Sequence, residues 1–231
     1  MNSSSSIMNS LTQLPPIEVL YEDNHCLVVN KPARVLTMGD ETGEPSLFEQ
    51  AKQYLKEKYN KPGNVYLGVV HRLDRPTSGV VLFARTSKAA SRLSDQLRRH
   101  SMVKTYHALV EGVPTAKSGR LSHWLLKDRE TNIVRAVVEG TPDSQSAVLS
   151  YRVLKTLGKK SLLEVIPETG RSHQIRVQLA EIGTPIVGDK KYGSPTLMGG
   201  KICLHAFALE FEHPTTKEQI KIEAPLPDHI S

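Results

Sequence analysis

The chain has 231 residues, 39% of them hydrophobic and 23% charged, a make-up that supports a full core and excludes a disordered chain. No apolar run approaches the ~20 residues of a membrane helix, so no membrane partner is expected, and two cysteines, Cys26 and Cys203, are too few for a disulfide scaffold or a multi-cysteine zinc site. Thirty Lys and Arg against 24 Asp and Glu leave a net charge of +6, which points toward polyanions without selecting one.

Residues 1–16, MNSSSSIMNSLTQLPP, are Ser-rich and lack a basic stretch followed by an apolar one. They read as a disordered tail ahead of one domain spanning 17–231. Ile17–Tyr21 and Cys26–Val29 alternate in strand fashion around a polar hairpin turn. Ser46 opens a capping box with Glu49, and Leu47, Ala51, Tyr54 and Leu55 continue it as a helical stripe. Strands are expected over Val65–Leu73 and Val80–Ala84, on either side of a Pro/Ser/Gly turn. Ser87 is placed to cap a second helix running to His100, with Ala89, Leu93 and Leu97 inward. Strand patterns follow at Lys104–Val110, Ile133–Val138, Ala147–Leu154 and Leu162–Ile166, and later at Ile202–Phe211 and Gln219–Glu223. Between these two groups, Ser172 is placed to cap a third helix that carries Ile175, Leu179 and Ile182 inward and stops at Gly183. Many strands with few, scattered helices predict an α+β domain on a largely antiparallel sheet. The low cysteine count suits a reducing cytoplasm but leaves a single Cys26–Cys203 bridge open. Nothing marks an oligomer interface, so a monomer is the default.

Three stretches carry chemistry. In Val70-His71-Arg72-Leu73-Asp74-Arg75-Pro76-Thr77-Ser78-Gly79, an apolar strand runs into an Arg and an Asp two positions apart, which period-two alternation puts on one face. A carboxylate at the end of a buried strand must be paired, and Asp74 suits a nucleophile or a general base; Asp, Pro, Ser and Gly equally suit an ordinary turn. Thr169-Gly170-Arg171-Ser172-His173-Gln174-Ile175-Arg176 enters the third helix and gathers free N–H groups, two arginines and a histidine into an anion-friendly turn, with Arg176 able to reach a strand-end carboxylate. The second helix carries Lys88, Arg92 and Arg99 along one face, a pattern that fits either a phosphate track or simple helix-end charge compensation. Tyr106 is a strand aromatic, suited to core packing or to stacking on a base. The loop Asp189–Lys201 is basic and Gly-rich and reads as exposed and mobile. Nucleotide-binding glycine loops and the G-x-S-x-G elbow are absent. An aspartyl phosphotransferase built on Asp74 lacks a second carboxylate nearby in sequence.

These stretches together resemble the RluA family of RNA pseudouridine synthases. The most specific is His71-Arg72-Leu73-Asp74-Arg75-Pro76-Thr77-Ser78-Gly79, which matches the pattern H-R-L-D-x-x-T-S-G. Val28-Val29-Asn30-Lys31-Pro32, Lys104–Gly112, Thr169–Val177, Pro185–Asp189 with Tyr192-Gly193, and Leu204-His205-Ala206 follow in the family's order, from Ile17 to Pro227. The resemblance implies a pseudouridine synthase fold, a mixed and mostly antiparallel sheet with flanking helices and a basic cleft. It implies isomerisation of uridine in ribosomal or transfer RNA without metal or organic cofactor. It assigns catalysis to Asp74, Tyr106 and Arg176: Asp74 attacks ribose C1′ or takes a sugar proton toward a glycal, Tyr106 stacks near the base as a candidate for the C5 proton transfer, and Arg176 pairs with Asp74. Arg72 resembles the residue that fills the space left by the flipped nucleotide. His71, Arg75, Lys104, Arg171, His173, Lys88, Arg92 and Arg99 are the further expected RNA contacts. Larger relatives carry an N-terminal S4-type domain for which the residues before Ile17 leave no room, so a stand-alone catalytic domain is expected. Two positions depart from the pattern: Arg34 stands where many relatives have Gly, and Gln178 where many have His.

Overall fold

Two segments, Cys26–Val29 and Val80–Ala84, are apolar at every position, the pattern of strands covered on both faces. The computed structural model describes residues 14–230, and both segments lie inside its sheet. The described residues form β1 (Glu18–Glu22), β2 (Cys26–Lys31), α1 (Leu47–Lys58), β3 (Gly68–Val69), β4 (Ser78–Ala84), α2 (Ser87–Arg98), β5 (Val103–Glu111), β6 (Ser118–Asp128), β7 (Ile133–Val137), β8 (Gln145–Leu157), β9 (Lys160–Pro167), α3 (Gln174–Glu181), β10 (Leu204–Glu212) and β11 (Gln219–Glu223), with a 3-10 turn at Lys190–Tyr192. The strands join in the order β1-β2-β4-β10-β5-β9-β8-β6-β7, with β11 on β10 and β3 on β4. β4 and β10 run parallel; the other pairs among the described residues are antiparallel. The architecture is the expected α+β one. No helix among the described residues is long and apolar enough to cross a membrane.

Strand alternation assigns the helices to faces. Leu27, Val29, Val81 and Phe83 meet Leu47, Ala51 and Leu55 of α1. Cys26, Val28, Val80, Leu82 and Ala84 meet Ala89 and Leu93 of α2 on the opposite face. Ile175 and Leu179 of α3 pack on Ala108, Val110, Leu163 and Val165. Tyr106 touches both this cluster and that of α1, and so lies on the face away from α2. Cys26 and Cys203 are free and sit in different clusters; burial pushes their thiols up to about 12 and about 11.

The helix starts differ instructively from expectation. The Ser46–Glu49 capping box forms as read. For α2 the cap is Thr86, whose hydroxyl accepts from the Ala89 N–H, and Ser87 is the first helical residue. For α3 it is His173, in a left-handed conformation with φ 51° and no side-chain cap, so Ser172 stays outside. β6 escaped the sequence pattern because its inward positions include Gly119 and His123, which blur the apolar period. The expected strand Val65–Leu73 shrinks to Gly68–Val69. Beyond it, side chains take over the ladder's bonds: His71 Nε2 accepts from the Leu82 N–H at 3.1 Å, and the Thr37 hydroxyl accepts from Leu73 N and donates to Leu73 O. Of the expected tail, residues 1–13 lie outside the described residues, while Leu14 packs against the α1 cluster.

At the parallel pair, Gly79 faces Ala206 with φ 114°, and a Cβ there would stand 2.2 Å from the Ala206 carbonyl oxygen. Gly79→Ala therefore combines a backbone strain of about 1–3 kcal/mol with overpacking of about 1–3 kcal/mol. The expected result is a loss of roughly 3 kcal/mol, read from the urea midpoint at unchanged slope.

Candidate active site

β3 ends at Val69 and β4 begins at Ser78, and the chain between them carries Asp74. A turn closed by the Thr77 N–H on the Asp74 carbonyl (3.0 Å) fixes this loop from within. From outside, the fully buried Lys31 ammonium donates to the carbonyls of Pro32, Val35 and Arg75 at 3.0, 2.7 and 3.2 Å. Burial pulls the Lys31 pKa down to about 7, opposed by the charge of Asp74, and three carbonyl acceptors favour the charged form. Arg34 completes the frame. Its N–H donates to the Arg75 carbonyl at 2.7 Å, and its φ of 74° is one that favours glycine. Glycine is what the family resemblance expects here, and the structure shows an arginine accepting the strained conformation.

The Asp74 side chain is 31% exposed and meets Arg176. Arg176 is buried on the first turn of α3, and Nη1 donates to Asp74 Oδ2 at 3.1 Å. Its other edge is bidentate to Asp189, Nε to Oδ2 at 2.6 Å and Nη2 to Oδ1 at 2.9 Å. Burial alone would lower the Arg176 pKa, but hydrogen bonds and charge from Asp189 and Asp74 outweigh it and raise it. The guanidinium also lies over the Tyr192 ring, 5.0 Å from its centroid. His173 stands on the other side, Nε2 3.8 Å from Asp74 Oδ2 and Nδ1 2.7 Å from the Tyr192 hydroxyl. Tyr106 is half-buried on β5, and burial together with the charge of Asp74 raises its pKa well above the ordinary phenol range.

The structure thus gathers Asp74, Arg176, His173 and Tyr106. It also supplies partners that composition and spacing alone did not mark: Asp189, Tyr192 and Lys31. Asp189 opens the loop expected to be exposed and mobile, but it is 1% exposed. Ser194 anchors the same loop by accepting from the Gly188 N–H and donating to Glu111. Asp189 and Ser194 are buried, while Lys190, Lys191, Gly193, Pro195, Leu197 and residues 199–201 face solvent as expected. The signal for Asp189 was present, since a loop that returns a carboxylate to a buried arginine must itself be buried.

The expected RNA contacts separate into groups. Arg72 is exposed and makes no hydrogen bond among the described residues. Arg75 is exposed and bridged to Glu44, with Nε on the Arg34 carbonyl. Lys104 lies beside Gly170, and burial lowers its pKa. Arg171 is exposed, with Nε on the Ser146 carbonyl. His71 is turned inward as an acceptor, and burial drops its pKa to about 4, so it offers no charge. Lys88 and Arg92 sit on α2 and Arg99 is its C-cap, across the sheet from Tyr106, with Arg92 bonded to the Pro214 carbonyl and Arg99 to Asp95. The sheet keeps these three away from Asp74. Gln178 is fully buried, and its amide nitrogen reaches the carbonyls of Leu121 and Ala147, tying α3 to β6 and β8. Among the described residues, the acidic, His and Cys side chains close enough to share an ion are Asp23, Cys26 and His213. There, His213 spends Nδ1 on the Thr216 N–H and Nε2 on Asp23.

Residues 25–181 match the family model of RNA pseudouridylate synthase. The chain belongs to the RluA-type RNA pseudouridine synthases. It is 33% identical to the dual-specificity RNA pseudouridine synthase RluA of Pasteurella multocida (strain Pm70), covering 91% of this chain and 94% of that protein. It is 32% identical to ribosomal large subunit pseudouridine synthase C of Buchnera aphidicola subsp. Acyrthosiphon pisum (strain APS), covering 98% of this chain and 70% of the relative. In structure it resembles human RNA pseudouridylate synthase domain containing 4, with a TM-score of 0.78 and 24% identity, covering 97% of this synthase and 93% of the human chain. Members of the family isomerise uridine to pseudouridine in RNA, and this synthase has the family's fold.

Two outcomes follow from the buried charges. Asp189→Ala leaves Arg176 buried without its bidentate partner, and a loss of about 3–5 kcal/mol is expected in urea unfolding. His71, His173 and His205, all held to about 4 by burial against an ordinary 6.5, bind protons on unfolding. The unfolded state binds more protons between those values, so stability rises with pH across that window and falls as pH drops from about 6.5 toward 4. Near pH 5.5 these rings should take up about two to three protons on unfolding; a urea midpoint flat over this range would contradict buried neutral imidazoles.

Proposed function

We propose that Asp74 is the reacting carboxylate with which this synthase isomerises uridines of ribosomal or transfer RNA. The observation that carries the reading is Arg176 Nη1 on Asp74 Oδ2 at 3.1 Å, with the same guanidinium locked from behind by Asp189. A held arginine fixes the carboxylate's orientation without consuming both of its oxygens, and Asp74 keeps an exposed edge for a substrate. Either attack on ribose C1′ or removal of a sugar proton is open to such a group. Tyr106, with its phenol pKa raised by burial and by Asp74, serves as a neutral ring under the flipped base and not as a phenolate base.

Flipping a uridine out of its stack costs a few kcal/mol. Arg72, exposed and unbonded two residues from Asp74, is suited to occupy the vacated space. Lys104 and Arg171 flank the same face and are the residues proposed to hold phosphates. The Lys88–Arg99 helix face is left out of this proposal because it lies across the sheet.

The test is Asp74→Asn, assayed on total RNA from cells that lack the protein. Pseudouridine formation should fall by about 1,000-fold or more, while RNA binding and the unfolding midpoint stay near wild type. Turnover within tenfold of wild type would remove Asp74 from the reaction.

A further inference from the structure

We propose that His173 serves the isomerisation as a neutral hydrogen-bond donor to the reacting centre, with Tyr192 fixing the tautomer that makes it one. The inference rests on Asp74 being the reacting carboxylate. It narrows the sequence-based expectation that His173 contacts RNA.

The assignment follows from counting protons around one hydroxyl. The Tyr192 oxygen accepts from the Val134 N–H of β7 at 3.0 Å. Its own proton then needs an acceptor, and His173 Nδ1 at 2.7 Å is the one within hydrogen-bond reach among the described residues. If Nδ1 instead carried a proton, the hydroxyl would accept twice and leave its own proton unbonded in a half-buried place, a cost of about 1–3 kcal/mol. Nδ1 is therefore the acceptor, and the ring's single proton sits on Nε2. Burial keeps the imidazole neutral and keeps the phenol protonated, which is the pairing this chain of bonds requires.

Nε2 points at the site. It lies 3.8 Å from Asp74 Oδ2, too far for a hydrogen bond, and has no other partner among the described residues. It keeps access to solvent. The groups that face the ring are Asp74, Arg176 from α3, and Asp189, Lys191 and Tyr192 from the 189–192 segment. A second cation here would compete with Arg176 and Lys191; a neutral N–H does not. The ring is held in place at a conformational cost, because His173 takes φ 51° at the start of α3. A donor set beside the carboxylate, but not spent on it, can bond an oxygen of the bound uridine. As the C1′–N1 bond breaks, its electron pair leaves with the uracil ring and spreads onto the carbonyl oxygens, where such a donor stabilises the developing charge.

Nitrogen-15 NMR of the labelled wild-type protein reads the tautomer directly. We expect His173 Nδ1 to resonate as unprotonated and Nε2 as protonated throughout pH 6–8, and this preference to be lost in Tyr192→Phe. A wild-type ring protonated on Nδ1, or on both nitrogens, overturns the proposal. In turnover on total RNA from cells lacking the protein, Tyr192→Phe should lower kcat about tenfold or more with the apparent KM within threefold. In a His173→Leu background the same substitution should cost nothing further, and His173→Gln, which retains an N–H, should keep more activity than His173→Leu. Equal losses from Tyr192→Phe in both backgrounds would assign Tyr192 a merely structural role and also overturn the proposal. The NMR measurement does not depend on turnover, so its failure is distinct from a failure of Asp74.

Discussion

One guanidinium organises this site. Arg176 lies in the interior with a carboxylate on each side, Asp189 buried behind it and Asp74 open in front. A buried arginine without partners is untenable, and one with a single exposed partner would be poorly aimed. The bidentate grip of Asp189 uses Nε and Nη2 and leaves Nη1 as the donor that faces Asp74. The geometry of the reacting carboxylate is thus set by a pair that never meets the substrate. The loop at 189–192, the first turn of α3 and the approach to β4 must all converge for it to form.

The Asp74 loop is held with little regular structure. Its backbone partners are a threonine hydroxyl, a buried ammonium and the strained Arg34, and His71 replaces a ladder bond with a ring nitrogen. Such an arrangement lets a side chain sit at a strand end without belonging to a strand. It also means that the donors of the Lys31 ammonium and the acceptor of the His71 ring are spent on position. His71 illustrates this: between an arginine and a valine in the sequence it looks like a ligand for phosphate, and in the fold it is an acceptor for an amide of β4.

Much of this was legible in the chain, because some signals are local. Ser46 and Glu49 are three residues apart and need nothing else to form a cap. The unbroken apolar runs Cys26–Val29 and Val80–Ala84 are local too, and mark strands with two covered faces. Arg176 and Asp74 were connected through a family resemblance and by the direction a first-turn arginine must point. What was not legible depended on distant partners. β6 carries Gly119 where the ring of Tyr151 packs, so its period makes sense only with β8 in view. The Lys88–Arg99 face looks the same in sequence whether it borders the site or lies across the sheet from it. Asp189 sat in a Gly-rich, basic stretch whose composition argued for exposure, while its single carboxylate was the feature that mattered.

The two ion pairs of Arg176 also differ in how far along the chain they reach. Asp189 is 13 residues away and Asp74 is 102. Closing the longer loop costs about 2 kcal/mol more in chain entropy than closing the shorter one. The local pair is thus the cheaper to form in a chain still collapsing, and the arginine can be charge-compensated before the distant strand arrives. Loop-closure entropy on its own thus favours an order in which Asp74 meets an arginine that Asp189 already holds.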